Sequence, residues 1–202
     1  NTSSGTVEVT GGTVSSSSRR EYSYGIYNAS TGTVEITGGK INSDSDSSYG
    51  VYNASNGTVE VTGGTVSSSG SEYSYGIYNT SSGTVEVTGG TVSSNSSSNS
   101  YGIYNDSTGT ITIGIKEDEI VLQEDPLIQG MQTLTTTRYV EYGIYNPNGT
   151  LYYYDGKIQG TDRAIYGNLN EIEDFTKLVI ATETEYQTIV LEHDLLSHAI
   201  IN

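Results

Sequence analysis

Two short signatures recur in step along this chain, and together they constrain its fold more than any other feature. A Tyr-Gly pair stands at Tyr24, Tyr49, Tyr75, Tyr101 and Tyr142, with steps of 25, 26, 26 and 41 residues. A Gly-Thr-Val type triplet stands at Gly5, Gly32, Gly57, Gly83, Gly109 and Gly149, with steps of 27, 25, 26, 26 and 40. Two signatures that keep one register define a repeating structural unit, not a biased composition. Only 33% of the 202 residues are hydrophobic, which would leave a conventional globular core thin. A solenoid removes that difficulty, because each repeat extends a narrow apolar channel by stacking on its neighbour. The Gly and Ser content resembles that of disordered chains, yet the regular Val and Ile alternation does not fit disorder.

Within one unit, Gly-Ile-Tyr-Asn, Gly-Thr-Val-Glu-Ile-Thr and Lys-Ile-Asn each alternate with period two and are separated by Ala-Ser-Thr and Gly-Gly corners. Three short strands per unit is the reading. The expected fold is all-β: a right-handed parallel β-helix of three-strand coils, each about 26 residues long, with a C-terminal β cap. Alternation points Ile26, Val51, Ile77, Ile103 and Ile144 inward on the first strand. On the second strand it points in the pairs Val7 and Val9, Val34 and Ile36, Val59 and Val61, Val85 and Val87, and Ile111 and Ile113. Val14, Ile41, Val66 and Val92 do the same on the third. Asn28, Asn53, Asn79, Asn105 and Asn146 fall where the chain turns, and their amides are expected to bond along the axis as a ladder.

The outward positions carry the candidate binding surface. Tyr27, Tyr52, Tyr78, Tyr104 and Tyr145, with Tyr166, form an aromatic column, and Glu8, Glu35, Glu60 and Glu86 form an acidic one flanked by Thr. Glutamates about 4.8 Å apart repel by roughly 1 kcal/mol in water, so that column costs stability unless cations or protons relieve it. The Ser tracts at Ser15–Ser23, Ser43–Ser48, Ser67–Ser74 and Ser93–Ser100 absorb the one-residue changes of period and read as solvated loops. Residues 1–167 are read as the β-helix, with an insertion over 115–141 in which Pro126 to Gly130 keeps the third strand. Leu151 and Tyr153 take the inward places of the valines, and Tyr152 that of the column glutamate. Residues 168–202 are read as the cap, with strands over Lys177–Thr182 and Thr188–Glu192 hiding the last unpaired edge. Asn1 stands at the repeat position of Asn28, so the chain is expected to be a piece of a longer protein.

The net charge of −16 argues against nucleic acid and anionic membranes as partners. The absence of Cys excludes a disulfide framework, thiolate metal sites and a Cys nucleophile. No apolar run approaches the roughly 18 residues of a membrane-spanning helix, and direct membrane insertion is not expected.

The repeat motifs, together with Thr112-Ile-Gly, Pro126-Leu-Ile-Gln-Gly, Tyr154-Asp-Gly-Lys-Ile and Glu171-Ile-Glu-Asp, resemble repetitive adhesin-like surface proteins of low-GC Firmicutes. The resemblance covers nearly the whole chain. It implies a secreted or cell-surface β-helix stalk and brings neither a substrate nor a catalytic residue.

Enzymatic chemistry is the competing reading, since parallel β-helices also carry polysaccharide lyases and hydrolases. The column glutamates are regular, isolated by Thr and without a Lys or Arg column beside them, unlike the paired carboxylates of a glycosidase. Glu117, Asp118, Glu119, Glu124 and Asp125 interrupt the repeat and could hold a cation, although a solvated acidic loop is the commoner case. His193 and His198 lack the partners of a Ser-His-Asp triad or a zinc site. The Gly-Gly-x-Gly-x-Asp calcium nonapeptide is absent, and glutamate interrupts the flat Thr array that ice binding needs. Asn-x-Ser/Thr sequons fall at Asn1, Asn28, Asn53, Asn56, Asn79, Asn95, Asn105 and Asn148, and four of these coincide with the proposed ladder.

The expectation is therefore a non-enzymatic extracellular stalk or adhesin-like segment with no cofactor and no metal site. The alternatives are a carbohydrate-binding or carbohydrate-active β-helix and a subunit of an extracellular filament. Expected partners are a host or environmental glycan or protein surface, or further copies of the chain end to end or side by side.

Overall fold

The computed structural model describes residues 1–19, 21–116, 126–132, 141–172, 176–182 and 187–193. Every regular element among the described residues is a β-strand. The first coil holds β1 (Val7–Val9) and β2 (Thr13–Ser17), and the second opens with β3 (Tyr22–Asn28) and β4 (Thr33–Ile36). The pattern continues through β5 (Lys40–Asn53), β6 (Thr58–Val61), β7 (Thr65–Asn79), β8 (Thr84–Val87), β9 (Thr91–Ser96), β10 (Asn99–Asn105) and β11 (Thr110–Ile113). The edited coils comprise β12 (Leu127–Gln132), β13 (Glu141–Asn146), β14 (Thr150–Tyr153), β15 (Lys157–Gly160), β16 (Arg163–Gly167) and β17 (Glu171–Ile172). A final pair, β18 (Thr176–Thr182) and β19 (Gln187–His193), follows them.

From β1 to β17 every pairing is parallel and joins a strand to its counterpart one repeat on, which makes the chain a β-solenoid as the period requires. The second strands form a seven-stranded sheet in the order β1-β4-β6-β8-β11-β14-β17. Its register sets Val34 against Val59, Val59 against Val85, Val85 against Ile111 and Ile111 against Leu151. All five of these side chains have no exposed surface. The columns Ile36-Val61-Val87-Ile113-Tyr153, Val51-Ile77-Ile103-Ile144 and Ile41-Val66-Val92-Ile128-Ile158 are equally inaccessible. Burying each such side chain contributes about 1.5–3 kcal/mol, and identical neighbours let the same rotamer pack coil after coil. Val7 and Val14 lie in the first coil and are only partly buried.

The asparagine ladder forms as expected. Asn28 Nδ2 donates to Asn53 Oδ1, Asn53 to Asn79 and Asn79 to Asn105, each at 2.9 Å, and Asn105 donates to Asn146 at 2.7 Å. The second amide hydrogen of Asn28, Asn53, Asn79 and Asn105 caps the carbonyl of Gly32, Gly57, Gly83 and Gly109 respectively, closing the corner within the same coil. Each amide is fully buried and bonded in two directions, which is how a polar column survives in a narrow core.

The Ser tracts correct one expectation. A short break remains between β2 and β3 and between β9 and β10, but β5 and β7 run unbroken from the third strand of one coil into the first strand of the next. Together with β2, β3, β9, β10, β12, β13, β15 and β16, and the final pair, they make a twelve-stranded sheet. Ser43, Ser48, Ser68, Ser74, Ser94 and Ser100 are buried. Their hydroxyls meet in the interior, Ser68 to Ser74 at 2.7 Å and Ser94 to Ser100 at 2.8 Å. The tract does absorb the change of period, through a register shift between Ser45 and Ser47 where β5 pairs with β7.

At the C-terminal end, β19 pairs antiparallel with β15 and with β18, so the third-strand ladder ends on a hairpin in place of another coil. Ile189 is buried against the core, and the Tyr153 hydroxyl lies 2.7 Å from Gly156 O and 3.1 Å from Ile189 O, fixing β19 to the last regular coil. Residues 117–125, 133–140, 183–186 and 194–202 lie outside the described residues, and with them Glu117, Asp118, Glu119, Glu124, Asp125 and His198.

Candidate functional site

The outer surface of the first-strand ladder is shaped by one glycine per coil. A Cβ on Gly76 would stand 2.5 Å from Gly102 O and 2.8 Å from Val92 Cγ1, and Gly25, Gly50, Gly102 and Gly143 are crowded in the same way. The alternation of faces breaks at this residue, with Tyr75 packed among the tyrosines and Ile77 in the core, as glycine inside a strand allows. The tyrosine before it then faces outward although it shares parity with the inward Ile two residues on. Two tyrosine columns result where strict alternation predicts one.

The outer column is the predicted one, Tyr27-Tyr52-Tyr78-Tyr104-Tyr145, extended by Tyr166. Successive centroids lie 5.1, 5.2, 4.9, 4.6 and 5.0 Å apart, with rings within 11° of parallel. The step of 41 residues between Tyr104 and Tyr145 leaves no mark on the stack. Tyr24, Tyr49, Tyr75, Tyr101 and Tyr142 form the inner column, with centroids 5.0–5.2 Å apart as far as Tyr101. Rings of the two columns meet edge to face, as Tyr75 meets Tyr78 at 4.7 Å and 82° and Tyr101 meets Tyr104 at 4.9 Å and 80°. Offset stacks joined by edge-to-face contacts are the favoured aromatic geometry, each worth about 0.5–1.5 kcal/mol beyond its buried area.

This packing determines what the face can do. The ring faces are occupied by neighbouring rings, so the surface presents ring edges and hydroxyls. Tyr27, at the start of the outer column, is 43% exposed, whereas Tyr49, Tyr75, Tyr101 and Tyr142 of the inner column are buried. Burial first, and then the neighbouring phenols, push the phenol pKa values of Tyr49, Tyr75 and Tyr101 well above the ordinary value. Tyr78 is pushed up to about 12 by burial and then by the Asp106 carboxylate.

The acidic column lies elsewhere. Glu8, Glu35, Glu60 and Glu86 are in register on the seven-stranded sheet and continue as Thr112, Tyr152 and Glu171. The tyrosines lie on the twelve-stranded sheet, so the two sets of predicted residues do not form one site. At the far end of the acidic column Lys116 pairs with Glu171 and lies 5.4 Å from the Tyr154 ring centroid. Its hydrogen bond holds the Glu171 carboxyl below the usual range. Of the sequons, Asn28, Asn53, Asn79 and Asn105 are fully buried in the ladder, while Asn56, Asn95 and Asn148 are exposed.

Sequence reasoning assigned no face to Tyr24 and its equivalents, which share the parity of the inward Ile, and so missed the inner column. The signal was the Tyr-Gly pair itself: a glycine recurring inside every first strand marks a bend or a close backbone approach.

The chain matches no family model, no curated protein and no solved structure. Fold and surface together define a parallel β-solenoid clad along its first-strand ladder by a double column of stacked tyrosines.

Proposed function

We propose that this chain is a non-enzymatic structural segment, a stiff spacer or adhesin-like stalk displayed outside the cell. The observation that supports it most is the continuity of the columns. Val and Ile inside, Asn at the corner and Tyr outside keep register through coil after coil, even across the 41-residue step from Tyr104 to Tyr145. A ladder built in this way transmits load along its axis through hydrogen bonds and packed side chains in every rung. The resemblance of the repeat motifs to adhesin-like surface proteins supports the extracellular setting.

The carbohydrate-binding alternative is narrowed by geometry. Sugars stack on open aromatic faces, and the faces along both columns are taken up by neighbouring tyrosines. Labelling intact and permeabilised cells of the source organism with an antibody against the chain tests the proposal. Equal labelling of both is expected, and labelling confined to permeabilised cells would refute extracellular display. A polysaccharide-cleavage screen with the purified chain is expected to give no product, and reproducible product formation would overturn the non-enzymatic reading.

A further inference from the structure

We propose that the outer tyrosine column is a site of oxidative cross-linking, at which a one-electron oxidant joins successive coils through dityrosine bonds. The observations are geometric. Phenols of Tyr27, Tyr52, Tyr78, Tyr104, Tyr145 and Tyr166 follow one another at centroid separations of 4.6–5.2 Å, with rings nearly parallel. Outer-column rings are exposed or half-buried, so they can swing by the few ångströms that bond formation needs, whereas inner-column rings such as Tyr75 are buried. Entry points for an oxidant are present as well: Tyr22 is 61% exposed and stacks on Tyr24 at 6.4 Å, and Tyr24 touches Tyr27 at 5.3 Å.

The chemistry balances with hydrogen peroxide as the terminal oxidant and a haem peroxidase as the catalyst. Two phenols each give up one electron and the hydroxyl proton to become phenoxyl radicals. The peroxide takes up both electrons and both protons and leaves as two waters. Spin density on the ring carbons ortho to oxygen lets two radicals form one carbon–carbon bond. The displaced ortho hydrogens then move to the oxygens and restore both phenols. A radical formed at an exposed ring passes along the stack by electron exchange between touching rings, so the second radical arises beside the first. Holding the partners in contact replaces a bimolecular encounter with an intramolecular one. The product is a covalent staple between neighbouring coils, joining residues 25 or 26 apart from Tyr27 to Tyr104 and 41 or 21 apart beyond it. This inference concerns the tyrosine face alone and does not depend on where the protein is displayed.

The column glutamates make the test direct, because cleavage after glutamate places Tyr27, Tyr52, Tyr78 and Tyr104 on four different peptides. The purified chain, dilute and folded, is treated with peroxidase and peroxide, digested and analysed by mass spectrometry. The expected joins are Tyr27–Tyr52, Tyr52–Tyr78 and Tyr78–Tyr104, at a yield on the order of ten times that from the chain unfolded in guanidinium. Tyr78→Phe keeps the ring stack and removes one phenol. It is expected to abolish both joins to Tyr78 and leave Tyr27–Tyr52 intact, with an unchanged β spectrum. Equal yields from folded and unfolded chain would overturn the proposal. So would joins found only between chains in a mixture of heavy and light isotopic forms, or joins made by the buried Tyr75 as readily as by Tyr78.

Discussion

The coils from Asn28 to Ile113 and the end formed by Asn146 to His193 solve the same packing problem in opposite ways. The regular coils set like on like. Val59 lies between Val34 and Val85, and the Asn79 amide lies between those of Asn53 and Asn105, so every rung is satisfied by copies of itself. At the end the copies stop. Tyr153 follows the smaller Ile113, Asn146 faces Gly167 in place of another asparagine, and β19 pairs antiparallel where the next coil would be parallel. A column stabilises its middle members from both sides and its last member from one. The ladder shows this in a single atom: Asn146 Oδ1 accepts from Asn105, while Asn146 Nδ2 is buried with no hydrogen-bond partner among the described residues. A larger side chain, Tyr153, and a reversed strand take over where repetition can no longer supply the contact.

The contrast is tested most severely at the glycines. Gly76→Ala in the regular coils brings a methyl against Gly102 O at 2.5 Å, and backbone cannot yield as a side-chain tip can. Denaturant unfolding is expected to show a loss of at least ~3 kcal/mol, as for severe overpacking. Gly11→Ala, at the edge of the first coil, meets nothing within 4 Å and is expected to change stability little. Equal effects of the two substitutions would break the account of the Tyr-Gly signature.

The asparagine ladder gives the next largest effect. Asn79→Ala removes bonds to Gly83 O and Asn105 Oδ1 and strands the Asn53 amide, and is expected to cost about 3 kcal/mol. Asn146→Ala loses one accepted bond and removes an unpaired donor, so about 1 kcal/mol is expected. Chemical denaturation of the two variants measures the gap, and a reversed order would contradict the picture of satisfied middles and unsatisfied ends.

These glycine and asparagine positions also show what was legible in the sequence. Inward columns, the ladder and the register of the glutamates followed from residues recurring at a fixed step, since a parallel in-register stack turns a sequence period directly into a spatial column. Two features were hidden. The inner tyrosines depend on a break of alternation at glycine, and the buried Ser residues meet in hydroxyl pairs that composition alone does not reveal. Ser68 and Ser74 look like loop residues until their hydroxyls are seen to meet at 2.7 Å.

A smaller, graded effect is expected on raising the pH. Burial holds the phenols of Tyr49, Tyr75 and Tyr101 above their ordinary value in the folded chain, and unfolding releases them. The unfolded chain therefore loses these protons first. The stability they contribute is intact below about pH 10 and falls as pH rises through the folded-state values, with Tyr78 at about 12. Denaturation midpoints measured at rising pH should fall over that window and fall less in Tyr75→Phe. A midpoint unchanged up to pH 12 would contradict the burial of the inner column.

The central claim is that each coil lies in register on the next, and the absence of cysteine makes it directly measurable. In the double variant Glu60→Cys with Glu86→Cys the two positions are direct partners on neighbouring strands, about 4.8 Å apart and within disulfide reach. In Glu60→Cys with Thr112→Cys they are two rungs apart, roughly 9.6 Å and beyond the limit of about 7 Å. Mild oxidation of the folded chains is predicted to close the first pair within the molecule and leave the second reduced. Closure of the second pair in preference to the first would contradict the stacked-coil register on which the whole account rests.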